Sequence, residues 1–186
     1  ACEGVAGLST TTLPADVTDT LGPVQAFTLA VNDDPSFPVA ISSEAAFNTF
    51  GIVGRNGDAS FGVTPWTTVA DIFGRKLDSG TWQTWARSLG LPPQKPVTDA
   101  QQKSGAKDVL AALDTSNRAS AIGIIALNDI VPTNGVAPKV RPLAFRAKGQ
   151  DFAYYPSSTS TASDMINVRD GHYAVWANLH FFARKT

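Results

Sequence analysis

The sequence predicts an α/β domain, a layered sheet with flanking helices. Three observations predict it: strand-like and helix-like stretches alternate along the chain, Ala119–Leu127 is an Ile-rich run flanked by polar turns, and Ser79–Gly90 carries one well-marked amphipathic helix. At 186 residues with 43% apolar side chains, the chain suits one domain or two small lobes and can bury a substantial core.

Residues 1–19 form the N-terminal irregular segment, since Gly, Ser and Thr are frequent there and Ser9-Thr10-Thr11-Thr12 suits a loop or strand edge. The main domain is expected over 20–186. Between Val24 and Val31 the side chains of Phe27, Leu29 and Val31 alternate with smaller ones, the period of a strand, before the turn Asn32-Asp33-Asp34-Pro35. Ser42 or Ser43 then caps a short helix over Glu44–Phe50, with Gly51 as its stop. After a loop around Arg55-Asn56-Gly57-Asp58, Pro65-Trp66-Thr67 opens another short helix ending near Phe73-Gly74.

The next helix is the best marked. Ser79 suits an N-cap, Trp82, Trp85, Ala86 and Leu89 recur at i, i+3, i+4 and i+7, and Gly90 with Pro92-Pro93 ends it. This spacing puts Trp85 inside and does not decide Trp82. Ser104 or Gly105 starts a helix to about Leu113, and Ala119–Leu127 reads as a buried strand. Val140–Ala147 is a strand whose Pro142 confines it to an edge or an irregular place. Tyr173–Phe182 follows the turn Asp170-Gly171 as the last strand.

Charge narrows the function classes. Charged residues are 17% of the chain and the net charge is −1, so no nucleic-acid partner is expected. Residues 1–60 hold seven acidic groups against Arg55, about −6, while the remainder is about +5, with fourteen basic against nine acidic groups. No run approaches the ~20 apolar residues of a bilayer-spanning helix, so no membrane span is expected. Cys2 is the sole cysteine, which precludes an internal disulfide or a cysteine metal cluster. It is either an idle thiol, a lipid-bearing residue displaced by one, or half of an intermolecular disulfide.

Few groups promise covalent chemistry. His172 and His180 would share one face of the last strand but lie too far apart for a joint metal site. No Gly-x-Ser-x-Gly elbow presents a nucleophile, and the Asp33-Asp34 pair reads as a solvated turn. Trp66, Trp82, Trp85, Trp176 and Tyr154-Tyr155 suit core or lobe packing better than a ligand cleft. Neither catalytic residues nor a metal or cofactor are expected.

One stretch does carry chemistry. Arg75-Lys76-Leu77-Asp78-Ser79-Gly80-Thr81 leads into the tryptophan helix, whose first turn offers unpaired backbone amides and the positive end of the helix dipole. Gly80 removes a Cβ from the path of a ligand, Ser79 and Thr81 offer hydroxyls, and Arg75 a guanidinium. Such a set suits phosphate, sulfate or a carboxylate; an ordinary capped first turn is the plainer alternative.

The order of these pieces resembles the C-terminal two-thirds of phosphate-binding-protein-like members of the type II periplasmic solute-binding superfamily. The matching pieces are Phe27–Val31, Ile41-Ser42-Ser43-Glu44-Ala45-Ala46, Pro65-Trp66 with Ile72-Phe73, Arg75 with Ser79-Gly80-Thr81, Ala121-Ile122-Gly123-Ile124, and Asn167–Trp176. The resemblance implies a periplasmic-binding-protein-like sheet in an incomplete two-lobe architecture, a periplasmic or extracellular location, and non-catalytic binding of a small anion by Arg75, Ser79, Gly80 and Thr81. Members place an Asp two residues after the arginine; Leu77 stands there, with Asp78 one step later. The first-lobe segment of that superfamily has almost no counterpart before Asp16, which leaves three readings open: a C-terminal product of a longer precursor, a half-protein completed by a second polypeptide supplying the missing lobe, or a domain that has lost ligand binding. The alternative role is a structural or interaction module that keeps the fold within a protein assembly.

Overall fold

The computed structural model describes residues 13–115, 118–130 and 139–185. The possible disulfide residue Cys2 and most of the expected irregular segment 1–19 lie outside them; strand β1 already begins at Val17, inside that segment.

In chain order the elements are β1 (Val17–Asn32), β2 (Ala40–Ser42), α1 (Ser43–Phe47), α2 (Gly54–Asn56), β3 (Ile72–Arg75), α3 (Gly80–Leu89), β4 (Gln102–Lys103), α4 (Ala106–Asp114), β5 (Ile122–Ala126), β6 (Val140–Pro142), β7 (Ala144–Arg146), α5 (Ile166–Arg169) and β8 (Trp176–Arg184). The main sheet runs β4-β3-β5-β1-β6, with β8 also paired to β1; β2 and β7 form a separate parallel pair. Strands β4, β3 and β5 are mutually parallel, and β1 runs antiparallel to β5, β6 and β8.

Strand alternation explains the layers. Ile122 and Ile124 of β5 face the larger core with Ile72 and with Trp82, Trp85, Ala86 and Leu89 of α3. Ile125 faces the other way, against Phe73 and against Val109 and Leu113 of α4. Gly123 is required by this second layer, because a Cβ there would lie 2.6 Å from Val109 Cγ1. Trp82 and Trp85 are both fully buried. The sheet between α3 and α4 is the layered α/β arrangement expected from the sequence.

Several expected boundaries move. The helix capped by Ser42, whose Oγ accepts from the Ala45 amide at 3.2 Å, does not stop at Gly51. It passes through a π-helical turn (Asn48–Val53) into α2 and stops at Gly57, which takes the left-handed conformation at φ 75. Gly51 is instead a packing glycine, since a Cβ there would meet Leu91 Cδ2 at 2.3 Å. The helix expected after Pro65 does not form. Trp66 closes a turn onto the Val63 carbonyl, and Ile72 and Phe73 are drawn into the central sheet beside Ile122 and Gly123. Buried Asp71 anchors the start of that strand, accepting from Ser120 Oγ and pairing with Arg118. The strand expected over 140–147 breaks at Leu143 into β6, an edge strand holding Pro142, and β7.

The N-terminal half of β1 and most of β8 form a two-stranded ribbon. Cross-strand pairs Asp19–Phe182 and Leu21–His180 share one face, Thr18–Ala183 and Thr20–Phe181 the other. Leu21 (64%), Phe181 (56%) and Phe182 (60%) are exposed, so apolar side chains stand on both faces of the ribbon.

Candidate functional site

Because β3, β4 and β5 are parallel, their C-terminal ends fall on one edge of the sheet. Helix α3 follows β3 and α4 follows β4, so both helices begin at that edge, one in each layer. In open α/β sheets, the crevice outside the carboxyl ends of the strands is where ligands bind. Arg75, at the end of β3, sits between these two helix starts.

The turn into α3 is built by its own backbone. The Ser79 amide donates to the Lys76 carbonyl at 3.0 Å, and the Gln83 amide donates to the Ser79 carbonyl at 3.0 Å. Ser79 occupies the N-cap position as expected, but its side chain makes no capping hydrogen bond. Helix geometry leaves the amides of Gly80, Thr81 and Trp82 without an intrahelical acceptor. Gly80 is exposed, and a Cβ added there meets nothing within 4 Å. The chain's own packing does not need a glycine at this position, and the space before the turn is open. Thr81 is buried beside it.

Arg75 is half-buried. Its place in the strand sends it to the face of Phe73, and its Nη2 donates to the Ser104 carbonyl, just before α4, at 3.2 Å. Its buried Nε has no hydrogen-bond partner among the described residues. Burial pushes the carboxyl of nearby Asp129 above its ordinary value, opposed by the positive charge of Arg75. Lys103 adds a second cation at the edge, its Nζ 5.2 Å from the centre of the Phe73 ring.

The structure thus brings Ser79, Gly80 and Thr81 together at one open turn. Arg75 stands at the same edge but lies on the Phe73 face and is hydrogen-bonded toward α4 rather than toward this turn. Leu77 keeps a structural role, because its carbonyl accepts from Gln83 Nε2 at 2.7 Å.

Gln83 is the group that sequence reasoning missed. It is 3% exposed, its amide lies against the turn through Leu77, and its Oε1 is buried without a partner among the described residues. The available signal was its position three residues before Ala86, on the helix side that packs inward.

A cavity of about 340 Å³ opens near the same edge, lined in part by Val24, Ala26, Leu127, Asn128, Met165 and Leu179. Gln25 Nε2 donates to Asn128 Oδ1 at 2.7 Å in its wall. Met165 is held in the left-handed region at φ 48, the one non-glycine residue there among the described residues. Asp164 fixes the flanking backbone, accepting from the Ser158 amide at 2.9 Å and the Ile166 amide at 3.1 Å.

The histidines do not share a strand face as expected, because the last strand begins only at Trp176 and His172 precedes it. His172 stacks on Tyr154 at 4.9 Å, and His180 Nδ1 lies 2.7 Å from Asp19 Oδ2 on the ribbon. No cluster of three or more metal-ligating side chains occurs among the described residues, and no described helix is long and apolar enough to cross a membrane.

No family model and no curated protein matches the chain. Solved structures do. A possible phosphate binding protein from Planctomyces limnophilus is similar at a TM-score of 0.64 and 12% identity, over 91% of this chain and 56% of that one. A Clostridium perfringens protein assigned as a phosphate ABC transporter substrate-binding protein, solved with bound phosphate, gives 0.60 and 12%, over 90% and 59%. An ABC-type phosphate transport receptor from Vibrio cholerae gives 0.56 and 14%, over 95% and 64%. The likeness is one of fold: this chain has the α/β fold of periplasmic-type binding proteins, and it spans less than two-thirds of the length of these structures.

Proposed function

We propose that the chain binds a small anion, a phosphate-like oxyanion or a carboxylate, without turning it over. The observation that carries this reading is the open first turn of α3, whose amides have no intrahelical acceptor and whose N-cap serine leaves them uncovered. Arg75, a long side chain with an unpartnered Nε, supplies positive charge from the rim of β3. Ser79, Gly80 and Thr81 are the direct ligands in this reading, and Arg75 is the counter-charge. The bound phosphate in the Clostridium perfringens structure, which shares the fold, supports the same class of ligand. A periplasmic or extracellular location is part of the same reading.

Isothermal titration against phosphate, sulfate and small carboxylates tests the reading. Saturable heat from at least one of them, weakened in Arg75→Gln, is expected; silence from all of them rejects it.

A second reading, an interaction module within an assembly, is favoured by the ribbon. A two-stranded ribbon with Leu21 and Phe182 on one face and Phe181 on the other is composed like a strand pair covered on both sides. A second polypeptide supplying another α/β lobe would cover it, and Cys2 could bridge to that chain. Mass measurement of the native particle without reductant tests this: a lone chain with a free thiol rejects it.

A further inference from the structure

Strand β8 leaves one long edge of the sheet open. At its two ends the Lys185 amide donates to the Asp16 carbonyl at 2.7 Å, and the Phe27 amide donates to the Val175 carbonyl at 3.0 Å. Both bonds put odd-numbered residues of this segment in the hydrogen-bonded positions facing β1. Strand alternation then turns the backbone groups of Trp176, Asn178, His180, Phe182 and Arg184 outward. These outward groups have no backbone partner among the described residues.

The other edges of the main sheet are short or interrupted. Strand β4 has two residues, and β6 has three, one of them Pro142. The free side of β1 is broken by the bulge at Gly22-Pro23, where proline has no N–H to offer. Strand β8 has no such protection. Its nine residues include no glycine, no proline and no Lys, Arg, Asp or Glu before Arg184, and Trp176, Leu179, Phe181 and Phe182 are all exposed.

We propose that β8 pairs antiparallel with β8 of a second copy of this chain, about a two-fold axis through His180, joining two ribbons into one four-stranded sheet. His180 is the midpoint of Trp176–Arg184 and is itself an outward residue. This register therefore gives all five outward residues a partner and makes about ten interchain backbone hydrogen bonds. The side chains it sets opposite one another are compatible. On one face Leu179 meets Phe181 of the second copy and Ala177 meets Ala183; on the other Trp176 meets Arg184, a ring beside a guanidinium. His180 meets its own counterpart, each imidazole held by Asp19 of its own chain at 2.7 Å. At ~150–250 Å² for a whole aromatic side chain, the exposed parts of Trp176, Phe181 and Phe182 amount to about 300 Å² per copy. That is a little under half of the ~800 Å² per partner of a stable interface, before Leu179 and the backbone of nine residues are counted. The inference goes beyond both readings above: it needs no anion, and the partner is an identical chain that adds at an edge.

Sedimentation and site-directed cross-linking of the full chain test it. The parent should sediment at twice the chain mass, and Phe181→Lys, at a half-exposed position, should shift it to a monomer with an unchanged circular dichroism spectrum. In a Cys2→Ser background, His180→Cys sets a thiol at the axis, opposite its own copy and within the ~4.4–6.8 Å Cα separation that a disulfide spans. Phe182→Cys lies opposite Asn178 of the second copy and about 14 Å from its own counterpart. Mild oxidation should trap the covalent dimer of His180→Cys and not that of Phe182→Cys. A parent that stays monomeric at all concentrations, or that associates only with a different polypeptide, would overturn the inference. So would a dimer that survives Phe181→Lys, or equal cross-linking of the two cysteine variants. Each of those results leaves the anion reading standing, since no anion enters the experiment.

Discussion

Replacing Gly80 by alanine separates the two roles that a helix start can have. The added Cβ meets no atom of the chain within 4 Å, and Gly80 does not use a positive φ, so the folded state accepts the methyl without strain. Loss of glycine entropy from the unfolded chain then stabilises the protein by about 0.4–1 kcal/mol. For a chain of this size that raises Tm by about 1–4 °C. The Cβ of a helical residue leans toward the helix N-terminus, so the same methyl projects into the space where an anion approaches the amides. Losing one charge-assisted amide hydrogen bond weakens binding by about 1.5–3 kcal/mol, roughly 10- to 150-fold. Thermal unfolding and calorimetric titration of Gly80→Ala measure both. A variant that is more stable yet binds the anion as tightly as the parent refutes the assignment of this turn; one that unfolds several degrees lower refutes the open geometry.

Three further outcomes are expected. Gly51→Ala should destabilise by about 1–3 kcal/mol through overpacking, because its Cβ falls 2.3 Å from Leu91 Cδ2, and denaturant titration would show a lowered midpoint with an unchanged slope. Tyr173→Phe should cost about 1–2 kcal/mol by removing the buried 2.7 Å bond to the Phe27 carbonyl. Burial raises the Tyr173 hydroxyl well above its ordinary value, so its folded form keeps the proton that the unfolded chain gives up; stability should therefore fall as pH rises beyond about 10, and this alkaline loss should be smaller in Tyr173→Phe, as followed by circular dichroism. Phe182→Ser should leave the melting temperature of the isolated chain nearly unchanged, since the ring is 60% exposed, while reducing any self-association or partner binding seen by sedimentation.

Legibility from sequence followed the strength of local signals. Helix α3 could be read almost residue by residue, because four apolar positions share one face and Gly90 ends it in the left-handed conformation at φ 70. The edge placement of Pro142 and the buried β5 were legible for similar reasons. The glycines at 51 and 57 were not, because a stop and a packing contact look alike in sequence: Gly57 takes the positive φ and Gly51 makes room for Leu91, a contact forty residues away in the chain. Pro65-Trp66 carried a helix-start signal that tertiary pairing of Ile72 and Phe73 with β5 overrode. The turn Ser79-Gly80-Thr81 was legible as a helix start. The direction of Arg75 was not, since it depends on the alternation of a strand expected to be helix, and the cavity depends on β1, β5 and the Met165 segment converging.

The most direct test of the anion site is a nitrogen-15 NMR titration of the labelled chain with phosphate and with butylphosphonate. Saturable shifts should concentrate in the backbone amides of Gly80, Thr81 and Trp82 and weaken in Arg75→Gln. Unmoved resonances at those three amides, with shifts gathered at another surface or nowhere, would contradict the account.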